Sequence, residues 1–91
     1  MNFECDPGKS ASNLAKHGLT LEEAQALWMA PGVEADLGVV NQEFRYARLG
    51  PIANIIHIAV FTFRAGAVIR LISARKATEK EIQYYEQKRK K

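Results

Sequence analysis

Cysteine is almost absent from these 91 residues, with Cys5 standing alone. A lone cysteine excludes an internal disulfide and a zinc cage built from thiolates. No histidine neighbours it in sequence, so nucleophilic chemistry is not expected there. Long hydrophobic runs are missing too. The longest, IIHIAVFTF over residues 55–63, is far shorter than the ~20 residues of a membrane-spanning helix. The opening MNFECDPGKS lacks the basic start and apolar stretch of a secretory signal, so the expected location is the cytoplasm. The two histidines, His17 and His57, have neither H-x-x-x-H spacing nor clustered carboxylates. No metal and no cofactor is therefore expected. No glycine-rich phosphate loop follows a predicted strand, which removes nucleotide-binding readings.

What is present describes an ordinary globular chain, 47% apolar and 25% charged. Its length predicts a single domain over residues 1–91 with a modest core, since a chain this short buries only about 60% of its unfolded surface. The net charge of +3 conceals a division. Residues 1–43 carry Lys9 and Lys16 against seven acids, a balance of −5, and residues 44–91 carry eleven Lys or Arg against three acids, a balance of +8. That division favours a polyanionic partner for the C-terminal half.

The order of elements reads β-α-α-β-β-β-α. NFEC (2–5) alternates as a short strand. Asp6 caps a helix with Pro7 in its first turn and Gly18 beyond its end, and Ala11, Leu14 and Ala15 form its expected buried stripe. Thr20 and Glu23 have capping-box spacing for a second helix that buries Leu21, Ala24, Leu27 and Trp28. Residues 33–41 leave strand and loop both open. QEFRYARLG alternates, with Phe44, Tyr46 and Arg48 on one side and Arg45, Ala47 and Leu49 on the other. GPIAN predicts a turn, IIHIAVFTFR a central strand, Ala65-Gly66 a hairpin and AVIRLISAR its return strand. Thr78 and Glu81 open a last helix, whose basic tail (88–91) is expected to fray. The fold class is α+β: two N-terminal helices, an antiparallel sheet of about three to four strands, and a C-terminal helix.

The stretch IRLISARKAT, residues 69–78, places Arg70 and Arg75 inside an apolar strand. Guanidinium forks match phosphate oxygens, so Arg45, Arg48, Arg64, Arg70 and Arg75 could form a phosphate cradle on a sheet. The same arginines could instead pair with Glu4, Asp6, Glu43 or Glu81 and hold the fold. In a regular strand Arg70 and Arg75 fall on opposite faces, unless a bulge intervenes. Metal-free RNA cleavage needs a base for the ribose 2′-OH, an acid for the leaving oxygen and cations for the phosphorane. His17 follows Lys16 at a helix end and is a candidate for proton transfer. His57, in an apolar strand, reads as a satisfied core residue.

FECDPGKSASNLAKHG resembles the opening F-E-W-D-P-x-K-x-x-x-N-x-x-K-H-G of the BrnT toxins of type II toxin–antitoxin systems. RLG, VFTFR, IRLISARKAT and EIQYY resemble later blocks of that family in the same order, from Phe3 to about Glu86. The resemblance implies a RelE-like fold and a metal-independent ribonuclease that inhibits translation. It implies a BrnA-like ribbon-helix-helix antitoxin as partner, RNA as substrate, and promoter DNA bound only through the antitoxin, with no membrane. Arg64, Arg70, Arg75 and His17 are the expected catalytic group; Lys9, Lys16, Arg45, Arg48, Lys76 and Tyr85 are the expected RNA contacts. Asn13 and Ser73 also match the family pattern. One departure stands out, since Cys5 occupies the position of the family tryptophan. An indole there could stack on a base or fill the core. Two other readings of the residues stay open: a non-catalytic nucleic-acid- or protein-binding module, and a structural domain whose arginines are salt-bridged.

Overall fold

The computed structural model describes residues 1–90. Asp6 accepts hydrogen bonds from the backbone N–H groups of Gly8 (2.7 Å) and Lys9 (3.2 Å), and so starts helix α1 (Pro7–His17). Gly18 ends it at φ 81°, a left-handed position that glycine occupies without a Cβ clash. The buried side of α1 is polar, contrary to the expected stripe. Ser10 and Asn13 are buried, whereas Leu14 is 48% exposed and Ala11 and Ala15 face solvent.

The neighbouring strand explains that reversal. Strand β1 (Phe3–Glu4) runs parallel to β5 (Val68–Lys76) and covers only Ile69 and Arg70 of it. Further along, β5 is a sheet edge whose backbone groups need partners. Asn13 supplies them. Its Nδ2 donates to the Ala74 carbonyl (2.8 Å), and its Oδ1 accepts from the Ala74 N–H (3.0 Å). The same Nδ2 donates to the carbonyl of Leu19 (2.8 Å). Alanine or leucine could not do this.

Helix α2 (Leu21–Ala24) opens on the Thr20–Glu23 capping box and continues as a 3-10 turn, Gln25–Trp28. Strands β2 (Val33–Val40), β3 (Glu43–Ile52) and β4 (Ile55–Arg64) follow. The sheet has five strands in the order β1-β5-β4-β3-β2, antiparallel throughout except for β1. The expected three to four strands fall short because residues 33–41 do form a strand and NFEC joins the far edge. GPIAN is not the turn as a whole. Gly50 and Pro51 remain in β3, and the reversal is the pair Ala53–Asn54 at φ 52° and 67°. Pro51 is tolerated there because β2 stops opposite Leu49, leaving β3 paired on one side only.

Helices cover both faces of β4. On one face α1, α2 and the 3-10 turn bury Ala59, Phe61, Leu71 and Ala74 beneath Leu21 and Leu27. Trp28 meets Phe3 and Phe61 edge-on there, at 5.3 and 5.1 Å between centroids. Fully burying a side chain such as Phe61 contributes up to about 3 kcal/mol. On the other face α3 (Glu79–Arg89) presses Tyr85 onto Ala47 and Leu49, with Val33, Ile56 and Ile58 around them. The helix remains regular through Arg89, which donates to the Tyr85 hydroxyl at 2.9 Å. The tail expected to fray, 88–91, thus begins inside α3, and Lys91 lies outside the described residues. Among the described residues no helix is long and apolar enough to cross a membrane.

Candidate nucleic-acid interface

The pairing of β4 with β5 decides where the arginines go. It passes from Phe61↔Leu71 to Val60↔Ser73, so Ile72 has no residue opposite it. This bulge resets the alternation. Arg70 lies across from Thr62 and Arg75 across from Ile58, positions four apart on β4 and hence on one face. Arg70, Ser73 and Arg75 therefore share the face that α3 partly covers. Arg64 and Arg45 join them from β4 and β3.

Carboxylates hold most of this row. Arg70 Nη1 donates to Glu4 Oε2 at 2.7 Å, and Arg64 Nε approaches the same oxygen at 3.9 Å. Arg64 Nη1 lies 3.3 Å from Glu43, whose other oxygen lies 3.3 Å from Arg45. An alternating chain Arg70–Glu4–Arg64–Glu43–Arg45 thus crosses β5, β1, β4 and β3. Arg75 grips Glu81 with both arms, at 2.8 and 2.9 Å. That bidentate bond holds the Glu81 carboxyl at about 2, against partial burial that pushes the other way, and it raises the Arg75 guanidinium further. The pairing partners weighed from sequence, Glu4, Glu43 and Glu81, are all used; Asp6 instead caps α1.

A second cationic group lies at the uncovered edge of β5. A hollow of about 180 Å³ is lined by Lys9, Ser12, Asn13, Lys16, His17, Ile72 and Ser73. None of these side chains is a carboxylate. The bulge residue Ile72 and its neighbour Ser73 form the strand side, and one face of α1 supplies the rest. Arg64, Arg70 and Arg75 do not line the hollow, but Ser73 belongs both to it and to the arginine row. A polyanion following this edge would meet ammonium, imidazole and hydroxyl groups on one side and guanidiniums on the other. Such a set can neutralise phosphate charge, and at His17 it can move a proton.

Two expected RNA contacts go elsewhere. Arg48 lies on the opposite face, donating to the carbonyls of Leu27 (2.8 Å) and Ala30 (3.0 Å) and to Glu34 (2.8 Å), with its guanidinium 5.5 Å from the Trp28 ring centre. It fastens the 3-10 turn to the sheet. Tyr85, 6% exposed, is the anchor of α3. Lys76 is exposed at the end of β5, opposite His57. His57 itself is buried, with Nδ1 2.7 Å from the carbonyl of Ile55. Ser12 escaped the sequence reading, because only the three-residue spacing to Lys9 and the turn to Lys16 place it in the hollow.

Cys5 points away from the arginine row. It packs against the core beneath α2, with Sγ 3.5 Å from Glu22 Oε2. Burial, then the bond to Glu22, pushes its thiol up. Ser10 bridges the same carboxylate to the N–H of Leu21. Among the described residues no three His, Cys, Asp or Glu side chains gather at one point.

Comparison with known proteins agrees with this architecture. Residues 5–81 match the sequence model of a family described as the ribonuclease toxin, BrnT, of type II toxin–antitoxin systems. The fold is similar to that of the Brucella abortus ribonuclease toxin BrnT, whose crystal structure was determined at 1.1 Å resolution. The TM-score is 0.64 and the identity 23%, over 87% of this chain and 99% of that one. No curated protein matches the chain in sequence.

Proposed function

The chain belongs to the BrnT family of ribonuclease toxins of type II toxin–antitoxin systems, and from that membership we propose that it is a metal-independent endoribonuclease acting through the β5 edge. The observation that carries the proposal is the meeting, at Ser73, of the carboxylate-free hollow of Lys9, Lys16 and His17 with the row of Arg70 and Arg75. RNA runs along this edge. Lys9 and Lys16 neutralise flanking phosphates, and Arg45 and Lys76 extend the track. Arg64, Arg70 and Arg75 stabilise charge on the phosphorane, and His17 gives the leaving 5′-oxygen its proton. Guanidinium and ammonium groups here supply the charge neutralisation that a metal ion supplies elsewhere.

The whole chain acts as one toxin unit of RelE-like type in the cytoplasm, where RNA cleavage inhibits translation. The antitoxin that goes with the family is, in this reading, a BrnA-like ribbon-helix-helix protein, through which alone the toxin meets promoter DNA. An acidic antitoxin segment covers the basic edge, so antitoxin binding and cleavage exclude one another. Full cleavage by the saturated complex would refute that exclusion.

The test of the activity is cleavage of RNA by the purified chain in excess EDTA, beside folded Arg70→Ala, Arg75→Ala and His17→Asn variants. The expected result is cleavage by the parent and a fall of two orders of magnitude or more in the variants. One observation favours a second reading, that of a binding module without catalysis: every arginine of the row already has a carboxylate partner. No cleavage by the folded parent, with or without ribosomes, selects that reading.

A further inference from the structure

The alternating chain across the sheet contains a carboxylate that is more than a partner for arginine. The geometry points to Glu4 as the general base that takes the ribose 2′-OH proton. This inference rests on the ribonuclease reading, in which Arg64 and Arg70 hold the scissile phosphate.

Glu4 stands directly across from Arg70 in the parallel pair, and one oxygen, Oε2, faces both guanidiniums, at 2.7 and 3.9 Å. A phosphate that takes N–H groups of these two arginines must sit beside that oxygen. The 2′-hydroxyl is two carbons from the 3′-oxygen of the same phosphate, so it arrives in the same space. Partly exposed ion pairs of this kind contribute little net stability, so RNA can displace this one readily. Once the guanidiniums turn to the phosphate, Glu4 Oε2 is released beside it and free to accept a proton.

The other carboxylates of this face fit the role less well. Glu81 is clamped by both arms of Arg75 and by the N–H of Thr78. Glu43 divides its oxygens between Arg45 and Arg64, away from Arg70. Glu4 is also 41% exposed, on a two-residue strand outside which no further strand lies among the described residues.

The step balances without a co-reactant. Glu4 removes the 2′-OH proton, the 2′-oxygen bonds to phosphorus, and the bond from phosphorus to the 5′-oxygen breaks. The 5′-oxygen leaves with the proton from His17, and solvent returns both side chains to their starting forms. The products are a 2′,3′-cyclic phosphate and a 5′-hydroxyl.

The experiment uses the full chain and an oligoribonucleotide containing a site that the parent cleaves in a transcribed messenger RNA. Glu4→Gln should lower kcat by 10²- to 10⁴-fold, the usual contribution of a positioned base. It should bind the same oligonucleotide with 2′-deoxyribose at the cleaved position at least as tightly as the parent, since it loses an anion beside the phosphate. Glu4→Asp, which keeps the carboxylate, should fall between the two. An active parent with Glu4→Gln within a few-fold of it overturns the inference and leaves the ribonuclease reading intact. An equal loss in Glu43→Gln, or a loss matched by weaker binding of the deoxy analogue, also overturns it. A folded parent that cleaves nothing overturns both.

Discussion

Asn13→Ala should cost about 3 kcal/mol, because one truncation strands the N–H and carbonyl of Ala74 together with the carbonyl of Leu19. Buried unsatisfied groups cost about 1–3 kcal/mol each, and water entering the edge offsets part of that sum. Thermal unfolding should register a drop of more than about 10 °C for a chain of this size. A second residue-scale effect concerns Glu81. Its folded-state carboxyl lies at about 2 against the usual 4.5, so its stabilisation is fully present above 4.5 and is lost as pH falls toward 2. Arg75 is 41% exposed, and with solvent screening the effect should be about 1 kcal/mol. Urea titrations at pH 6 and pH 3 should show Glu81→Gln losing less stability between the two than the parent does. At position 5 the structure sides with packing, because Cys5 faces the core and Glu4 faces the arginines. An indole in place of Cys5 would lie on the core side, toward Glu22, not on the face of the arginine row.

The elements begin and end where their local chemistry dictates. Asp6, Thr20 and Thr78 each cap a helix through the side-chain bond that their spacing predicts. Turns are harder, since two positive-φ residues in succession need no glycine. Ala53 and Asn54 adopt φ 52° and 67°, the pattern of a two-residue hairpin that favours Asn-Gly. Alanine is strained in that region by about 1–2 kcal/mol. The double change Ala53→Asn with Asn54→Gly should therefore raise stability by about 1 kcal/mol, read as a higher urea midpoint at unchanged slope. The bulge at Ile72 belongs to the same scale and matters most for function. Without it Arg75 would turn to the α2 face, lose Glu81 and leave the row.

Across the whole molecule the charge division seen in sequence is largely undone by folding. Glu4, Glu34 and Glu43 from the acidic half reach Arg70, Arg48, Arg64 and Arg45 of the basic half. The carboxylate-free cationic hollow instead draws its lysines from the acidic half, at Lys9 and Lys16. Salt dependence can tell the two groups apart. Single-stranded nucleic acid gives a slope of about −0.7 in log Kobs against log salt for each phosphate neutralised. Lys16→Ala should reduce the magnitude of that slope by about 0.7. Arg48→Ala should leave the slope unchanged and lower the unfolding temperature, since its partners are Leu27, Ala30 and Glu34. An altered slope in folded Arg48→Ala would contradict the fold-fastening role.

The sequence by itself determined what depends on neighbours along the chain. That covers the helix caps, the alternation of QEFRYARLG, the buried Leu21, Ala24 and Leu27, the pairing candidates for the arginines, and the family through its spaced motifs. Only the tertiary structure decided which face α1 buries, because Asn13 is turned inward by a backbone edge 61 residues away. It also decided that residues 33–41 are a strand, that Tyr85 and Arg48 serve packing, and that Arg70 and Arg75 share a face. The physical reason is common to all of these. Each depends on a backbone group, a bulge or a carboxylate brought from a distant segment, and no local periodicity encodes what a residue will meet across the sheet.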